Sequence, residues 1–203
     1  MPVRRVVITG EPVLHRPAGR VAVFDEGVAA LIQDLYDTMD AAHGVGLAAP
    51  QVGVGLRVYV YEMSNEDGVP RRGAVVNPIL AIGKVSSERP DPDDEVEGCL
   101  SVPGEHFPLK RADWVRVSGQ DATGEPLEFE ATGWFARCMQ HEFDHLNGKL
   151  YVDRLDERHA KKARRAIRGQ GWGKPGMGWL PGVDPDPFGH DEVDAGGHHE
   201  AIV

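Results

Sequence analysis

The residues best suited to chemistry lie together in Gln140-His141-Glu142-Phe143-Asp144-His145-Leu146-Asn147-Gly148. The stretch contains His-Glu-x-x-His. On a helix, residues four apart share a face, so His141 and His145 can aim two imidazoles at one metal ion. Glu142, one position round, then sits beside the place where that ion would hold water. This is the layout of a metal-assisted hydrolase. The same pentapeptide also arises by chance, as two surface histidines on one helix face, so a third ligand decides between the readings.

Known solutions restrict where that ligand can be. In one metalloprotease pattern the motif continues to a third His after Gly-x-x; Gly148 fits, but Tyr151 stands at the required position. In the thermolysin-like pattern a following helix supplies a Glu, yet residues 160–170 contain no carboxylate. The conspicuous candidate lies upstream: Cys99, in Glu97-Gly98-Cys99-Leu100-Ser101. A thiolate there would complete a Cys/His/His set. A lone Cys is also a small apolar core residue, and both readings stand at this point.

The elements that must position these groups follow from periodicity and turn chemistry. Residues 1–24 read as extended. A helix then starts at a capping Asp25, with Val28, Leu31, Ile32, Leu35 and Met39 forming one apolar stripe before Gly44 ends it. Gly44-Val45-Gly46-Leu47-Ala48-Ala49-Pro50-Gln51 follows as a loop, its small residues allowing close backbone approach and Gln51 bringing an amide that can donate to an oxyanion. A tight turn with an apolar plug is the plain alternative. Residues 56–63 and 74–82 have strand composition and are joined by a polar turn at 64–68. Residues 114–117 and 127–130 flank a hairpin turn at 121–124.

The metal helix is expected from Thr132, a candidate cap, to Gly148. Trp134, Arg137 and Cys138 lie one and two turns before His141 as candidates for the pocket wall, with plain core the alternative for Trp134 and Cys138. Asp144 either orients a neighbour or is solvated. A second helix spans 156–168, and the Gly-, Pro-, Asp- and His-rich stretch from Gly171 reads as an irregular, partly disordered tail with His190, His198 and His199 in solvent.

With 203 residues and 41% hydrophobic content the chain can bury one good core. The expected organisation is a catalytic unit, 1–168, and a tail, 169–203. No apolar run is long enough for a signal peptide or a membrane span, which points to the cytoplasm, no membrane partner, and free thiols at Cys99 and Cys138. A net charge of −10 argues against broad nucleic-acid binding. Residues 154–168 are nonetheless strongly basic. A solvated helix face explains that run, and contact with ribosomal RNA is the sharper reading.

Three separated stretches, Gly44–Gln51, Glu97–Ser101 and Gln140–Gly148, resemble in order and spacing the motifs of bacterial peptide deformylases, and the segment 171–190 is similar to the tail of actinobacterial members. The resemblance implies an α+β fold, with mixed or antiparallel sheets around a central His-Glu-x-x-His helix, an N-terminal helix, and a C-terminal helix plus irregular tail. It also implies removal of the formyl group from N-formylmethionine on nascent chains. Cys99, His141 and His145 would be the metal ligands, with ferrous iron usual and zinc, nickel or cobalt able to replace it. Glu142 would be the acid–base group, the Gln51 side chain and Leu100 N–H the oxyanion donors, Gly46 a substrate-backbone contact, and Val45 part of a methionine pocket with the turn before His141. Two positions depart from the pattern. Arg137 stands where many members have an aliphatic residue, and His106 where some have a peptide-contacting Arg. A metallopeptidase and a silent binding module are the competing readings; Tyr151 and the carboxylate-free segment 160–170 oppose the first, and the presence of every site residue opposes the second.

Overall fold

The structure, a computed structural model, describes residues 2–64 and 68–189. Helix α1 (Glu26–Ala41) begins where the Asp25 carboxylate accepts from the Val28 N–H at 3.0 Å, as the cap signal predicts. Its stripe of Val28, Leu31, Ile32, Leu35 and Met39 is buried.

A two-residue strand β1 (Val6–Val7) precedes α1. After it come β2 (Gly46–Ala48), β3 (Val58–Ser64), β4 (Pro70–Ile82), the short pair β5 (Val96–Glu97) and β6 (Phe107–Pro108), then β7 (Trp114–Gln120) and β8 (Pro126–Thr132). Five strands form one sheet in the order β2-β3-β4-β7-β8, with every neighbouring pair antiparallel. The expected strands and hairpin are therefore present, β4 starting earlier than its composition suggests. The middle of the turn expected at 64–68, residues 65–67, lies outside the described residues.

The alternation along β3 explains the layering. Val58 and Val60 join the core beneath α1, while Tyr59 and Tyr61 join the core on the opposite face, beneath helix α2 (Gly133–Leu146). The sheet is thus covered on both sides. The α2 helix, which carries His-Glu-x-x-His, is buried along most of its length, with Trp134 its most exposed residue at 37%. Thr132 occupies the cap position, but its side chain makes no capping bond; the helix is anchored instead by the Gly133 N–H donating to Asp113 O at 3.0 Å.

Two expectations are corrected. Residues 44–51 are not simply a loop: β2 and a 3-10 turn (Ala49–Val52) occupy most of it. The tail from Gly171 is irregular by composition, yet its described part returns to the body, where β9 (Gly178–Trp179) pairs antiparallel with β1 and Trp172, Met177 and Phe188 pack on the α1 core. Widely spaced aromatic rings bury area without periodicity, so no helix or strand pattern announces them. His190, His198 and His199 lie outside the described residues. The remaining helix, α3 (Glu157–Gly169), is capped by Asp156, which accepts from the His159 N–H at 2.8 Å. No helix among the described residues is long and apolar enough to cross a membrane.

Candidate metal centre

Helix α2 delivers His141 and His145 on one face, with ring centroids 4.8 Å apart. The turn after β5 delivers Cys99 to the same place, its Sγ 3.5 Å from His145 Nε2. One ligand atom from each of the three residues lies within 4.8 Å of the others, and all three residues are buried.

Two observations test whether this cluster suits a metal ion. Donors on one tetrahedral ion, at about 2.3 Å for sulfur and 2.0 Å for nitrogen, sit roughly 3.5 Å apart, which matches the sulfur–nitrogen separation found here. In addition, His141 Nε2, His145 Nδ1 and both Glu142 carboxylate oxygens are buried without a hydrogen-bond partner. Buried polar atoms are rarely left so; His141 Nε2 and the Glu142 carboxylate, beside Cys99 Sγ and His145 Nε2, suit a bound cation and its water, while His145 Nδ1 faces away from Cys99. The Cys99, His141 and His145 set suits a divalent ion.

The surroundings set protonation. Burial, then the charges of Glu142 and Glu97, push the Cys99 thiol up. Burial, then His141 and Arg111, push His145 down, so its imidazole is neutral, the form that ligates. Burial, then Glu97, push Glu142 up, giving a carboxyl able to hold a proton.

Glu97 behaves oppositely. Burial alone would raise it, but the Arg111 guanidinium and hydrogen bonds from Arg111 and His141 hold it well below the usual carboxylate range. Arg111 grips it through two bonds of 2.9 Å. Arg137 Nη1 donates to Glu97 Oε1 and to Leu109 O, both at 2.7 Å. The chain of charge runs on: Arg111 reaches Asp144 at 2.6 Å, and Asp144 reaches Arg154 at 2.6 Å. Asp144 is therefore a network member, not a solvated residue. Glu97 and Arg111 were given no role from sequence. Glu97 had one signal, a carboxylate two positions before the candidate Cys ligand; Arg111 had none.

The remaining candidates divide into two groups. A Cβ on Gly46 would overlap Glu142 Oε1 and come within 3.1 Å of Cys138 Sγ, so Gly46, Glu142 and Cys138 are brought together. Cys138 Sγ is also 3.8 Å from Val45 O. Gln51 Oε1 accepts from the Ala48 N–H at 2.8 Å, which turns its Nε2 toward Cys99 Sγ at 3.8 Å. Leu100 follows Cys99 directly and is fully buried. Trp134 and Arg137 lie on the Glu97 side, with the guanidinium 5.0 Å from the Trp134 ring centre. His106 lies over Gly98, its ring where a side chain on that glycine would be.

Comparison with known proteins gives the family. Residues 3–161 match the polypeptide deformylase family model. The peptide deformylase of Mycolicibacterium paratuberculosis is 54% identical over 197 residues, covering 94% of this chain and all of the relative. That of Mycobacterium sp. strain JLS is 55% identical with the same coverage. Among solved structures, the Legionella pneumophila peptide deformylase has a TM-score of 0.71 at 38% identity, covering 84% of this chain and 96% of its own. The Synechococcus elongatus peptide deformylase in complex with actinonin has a TM-score of 0.72 at 36% identity, covering 85% and 90%. With a family match over most of its length and relatives aligned end to end, the chain belongs to the polypeptide deformylase family.

Proposed function

We propose that this chain removes the N-formyl group from formylmethionine at the start of newly synthesised proteins, releasing formate, with Cys99, His141 and His145 holding one divalent metal ion. Members of the family are metal-dependent; the ion proposed here is ferrous iron, with zinc, nickel or cobalt able to take the same ligands. The observation that carries the reading is Glu142: fully buried, both carboxylate oxygens unpartnered, and beside the Cys/His/His cluster. Bound there, such an ion supplies Lewis acidity that lowers the pKa of water and draws charge toward the formyl oxygen.

The chain's own groups do the rest. Glu142 takes a proton from the attacking water, holds it in its buried carboxyl, and returns it to the departing amine. The Gln51 amide, fixed by the Ala48 N–H, donates to the developing oxyanion through Nε2, and the Leu100 N–H donates beside it. Strand β2 lies at the edge of the sheet, so an extended substrate can pair along it, and the absent side chain of Gly46 leaves room beside Glu142. Val45 and Cys138 are proposed to wall the methionine pocket. Trp134 and Arg137 complete it; because the guanidinium is committed to Glu97 and Leu109, Arg137 offers its aliphatic stem to an apolar side chain.

Every proposed site residue falls in 1–168, which we take as the catalytic unit, with 169–203 as tail, and we place the protein in the cytoplasm. The exposed Arg158, Lys161, Lys162, Arg164, Arg165 and Arg168 of α3 support a ribosome contact. Co-sedimentation with ribosomes should fall on charge reversal at Arg164 and Arg165; unchanged binding removes that partner.

The main test is formate release from a formyl-Met tripeptide, against its acetyl-Met analogue, using protein purified without oxygen. Release confined to the formyl substrate and lost in Glu142→Ala is expected. Cleavage of internal peptide bonds instead would favour the metallopeptidase reading.

A further inference from the structure

Trp179 belongs to none of the three motifs, yet it touches the loop that carries two proposed site residues. Its indole Nε1 donates to Leu100 O at 3.1 Å, and the side chain is buried. Pairing of Val6 with Trp179 in the β1–β9 ladder fixes the backbone behind it. Phe188 packs on the indole with ring centres 6.0 Å apart and meets His106 edge-on at 6.2 Å. The described tail therefore holds the 98–106 loop at two points.

Within that loop the carbonyls are engaged in turn. Cys99 O accepts from the Val102 N–H and Ser101 O from the Thr9 N–H, each at 2.8 Å, and Leu100 O takes the indole. The Leu100 N–H, by contrast, has no acceptor among the described residues, although Leu100 is fully buried. A buried N–H without a partner is costly, and one held beside a candidate metal cluster is suited to receive an anionic oxygen.

We propose that Trp179 is a positioning residue for the oxyanion donor: by holding the Leu100 carbonyl, it keeps the Leu100 N–H aimed at the charge developing on the formyl oxygen. The direction of that N–H is set by its own peptide plane, whose Cys99 O is held by the Val102 N–H at 2.8 Å; the indole holds the next plane through Leu100 O, so the two bonds together clamp the Leu100 Cα between them. Donors stabilise a transition state best when they need not reorganise during the reaction, so the tail contributes to rate and not to substrate affinity. The proposal rests on the deformylase reading above.

Replacing Trp179 with benzothienylalanine keeps both fused rings and loses only the N–H; Trp179→Phe is the second variant. Each is compared with the parent for kcat, KM, metal content, melting temperature and the Leu100 amide resonance in leucine-labelled, zinc-loaded protein. A fall in kcat of roughly 10-fold is expected, since small misplacements of catalytic groups cost up to about 100-fold. KM and metal content should stay at parent values while the Leu100 resonance moves, and the benzothienylalanine protein should melt only the few degrees lower that one lost buried hydrogen bond costs. An unchanged kcat in the benzothienylalanine protein overturns the proposal, as does a loss fully matched by lost metal or lost melting temperature. A parent protein that releases no formate overturns the underlying reading instead.

Discussion

Glu97 and His141, separated by 44 positions in the chain, meet at 3.0 Å, carboxylate oxygen to Nδ1. The contact assigns the ring: with Nδ1 committed to a carboxylate, Nε2 is the nitrogen free to ligate, and it is the one left without a partner. Replacing Glu97 by Gln keeps the shape and removes the charge. Metal affinity should fall by about 10- to 100-fold, read by competition with a chelator. Arg111 would keep Asp144 at 2.6 Å and Arg137 would keep Glu95 at 3.7 Å, so the loss of one counter-charge should cost less than the roughly 3–5 kcal/mol of a fully unpaired buried charge, read as a lowered melting temperature. Parent-like affinity and melting would show that Glu97 neither orients nor balances anything.

Gly46 separates function from stability. A methyl group there would overlap Glu142 Oε1, the far end of a movable side chain, while the strand backbone itself tolerates any residue. Gly46→Ala should therefore fold and melt near the parent temperature but displace Glu142, with kcat lowered by about 100-fold or more, the usual worth of a general acid–base group. Steady-state kinetics beside a melting curve checks both halves.

Gln51 performs two tasks with two atoms: Oε1 accepts from Ala48 and Nε2 is the proposed oxyanion donor. Gln51→Glu retains an acceptor for Ala48 and loses the donor, so the local turn should persist while the rate falls on the order of 100-fold. Formate release combined with unchanged far-ultraviolet circular dichroism distinguishes this from local unfolding. A rate within a few-fold of the parent would leave Leu100 as the main donor.

How much of this was legible in the sequence depends on the range over which each signal acts. Asp25 and the Val28–Met39 stripe specify α1 within one helix, and His141, Glu142 and His145 lie within one turn and a half, so both were readable from spacing. Strand β2 was missed because three small residues become a strand only through pairing with β3. The partnership of Glu97 with His141 and Arg111, and the burial of Trp179 against Leu100, exist only once distant segments meet. Arg137 shows the same limit: its helical position was clear, but its commitment to Glu97 and Leu109 was not.

Metal loading should be coupled to protons, with a sign that follows from Cys99. In the metal-free protein burial, then Glu142 and Glu97, raise the thiol, so it is protonated, and a ligating thiolate must give that proton up. His145 contributes no proton, because burial, then His141 and Arg111, keep it neutral. Glu142 is also raised and could release a proton toward a nearby cation, so the measurement belongs in the Glu142→Gln background. There, apparent zinc affinity should rise with pH by about tenfold per unit, one proton leaving per ion bound, between roughly pH 7.5 and 9, above the ordinary imidazole range. Isothermal titration in buffers of different ionisation enthalpy counts the proton directly. Cys99→Ala should flatten the profile, and a flat profile in the Glu142→Gln protein itself would remove Cys99 from the ligand set.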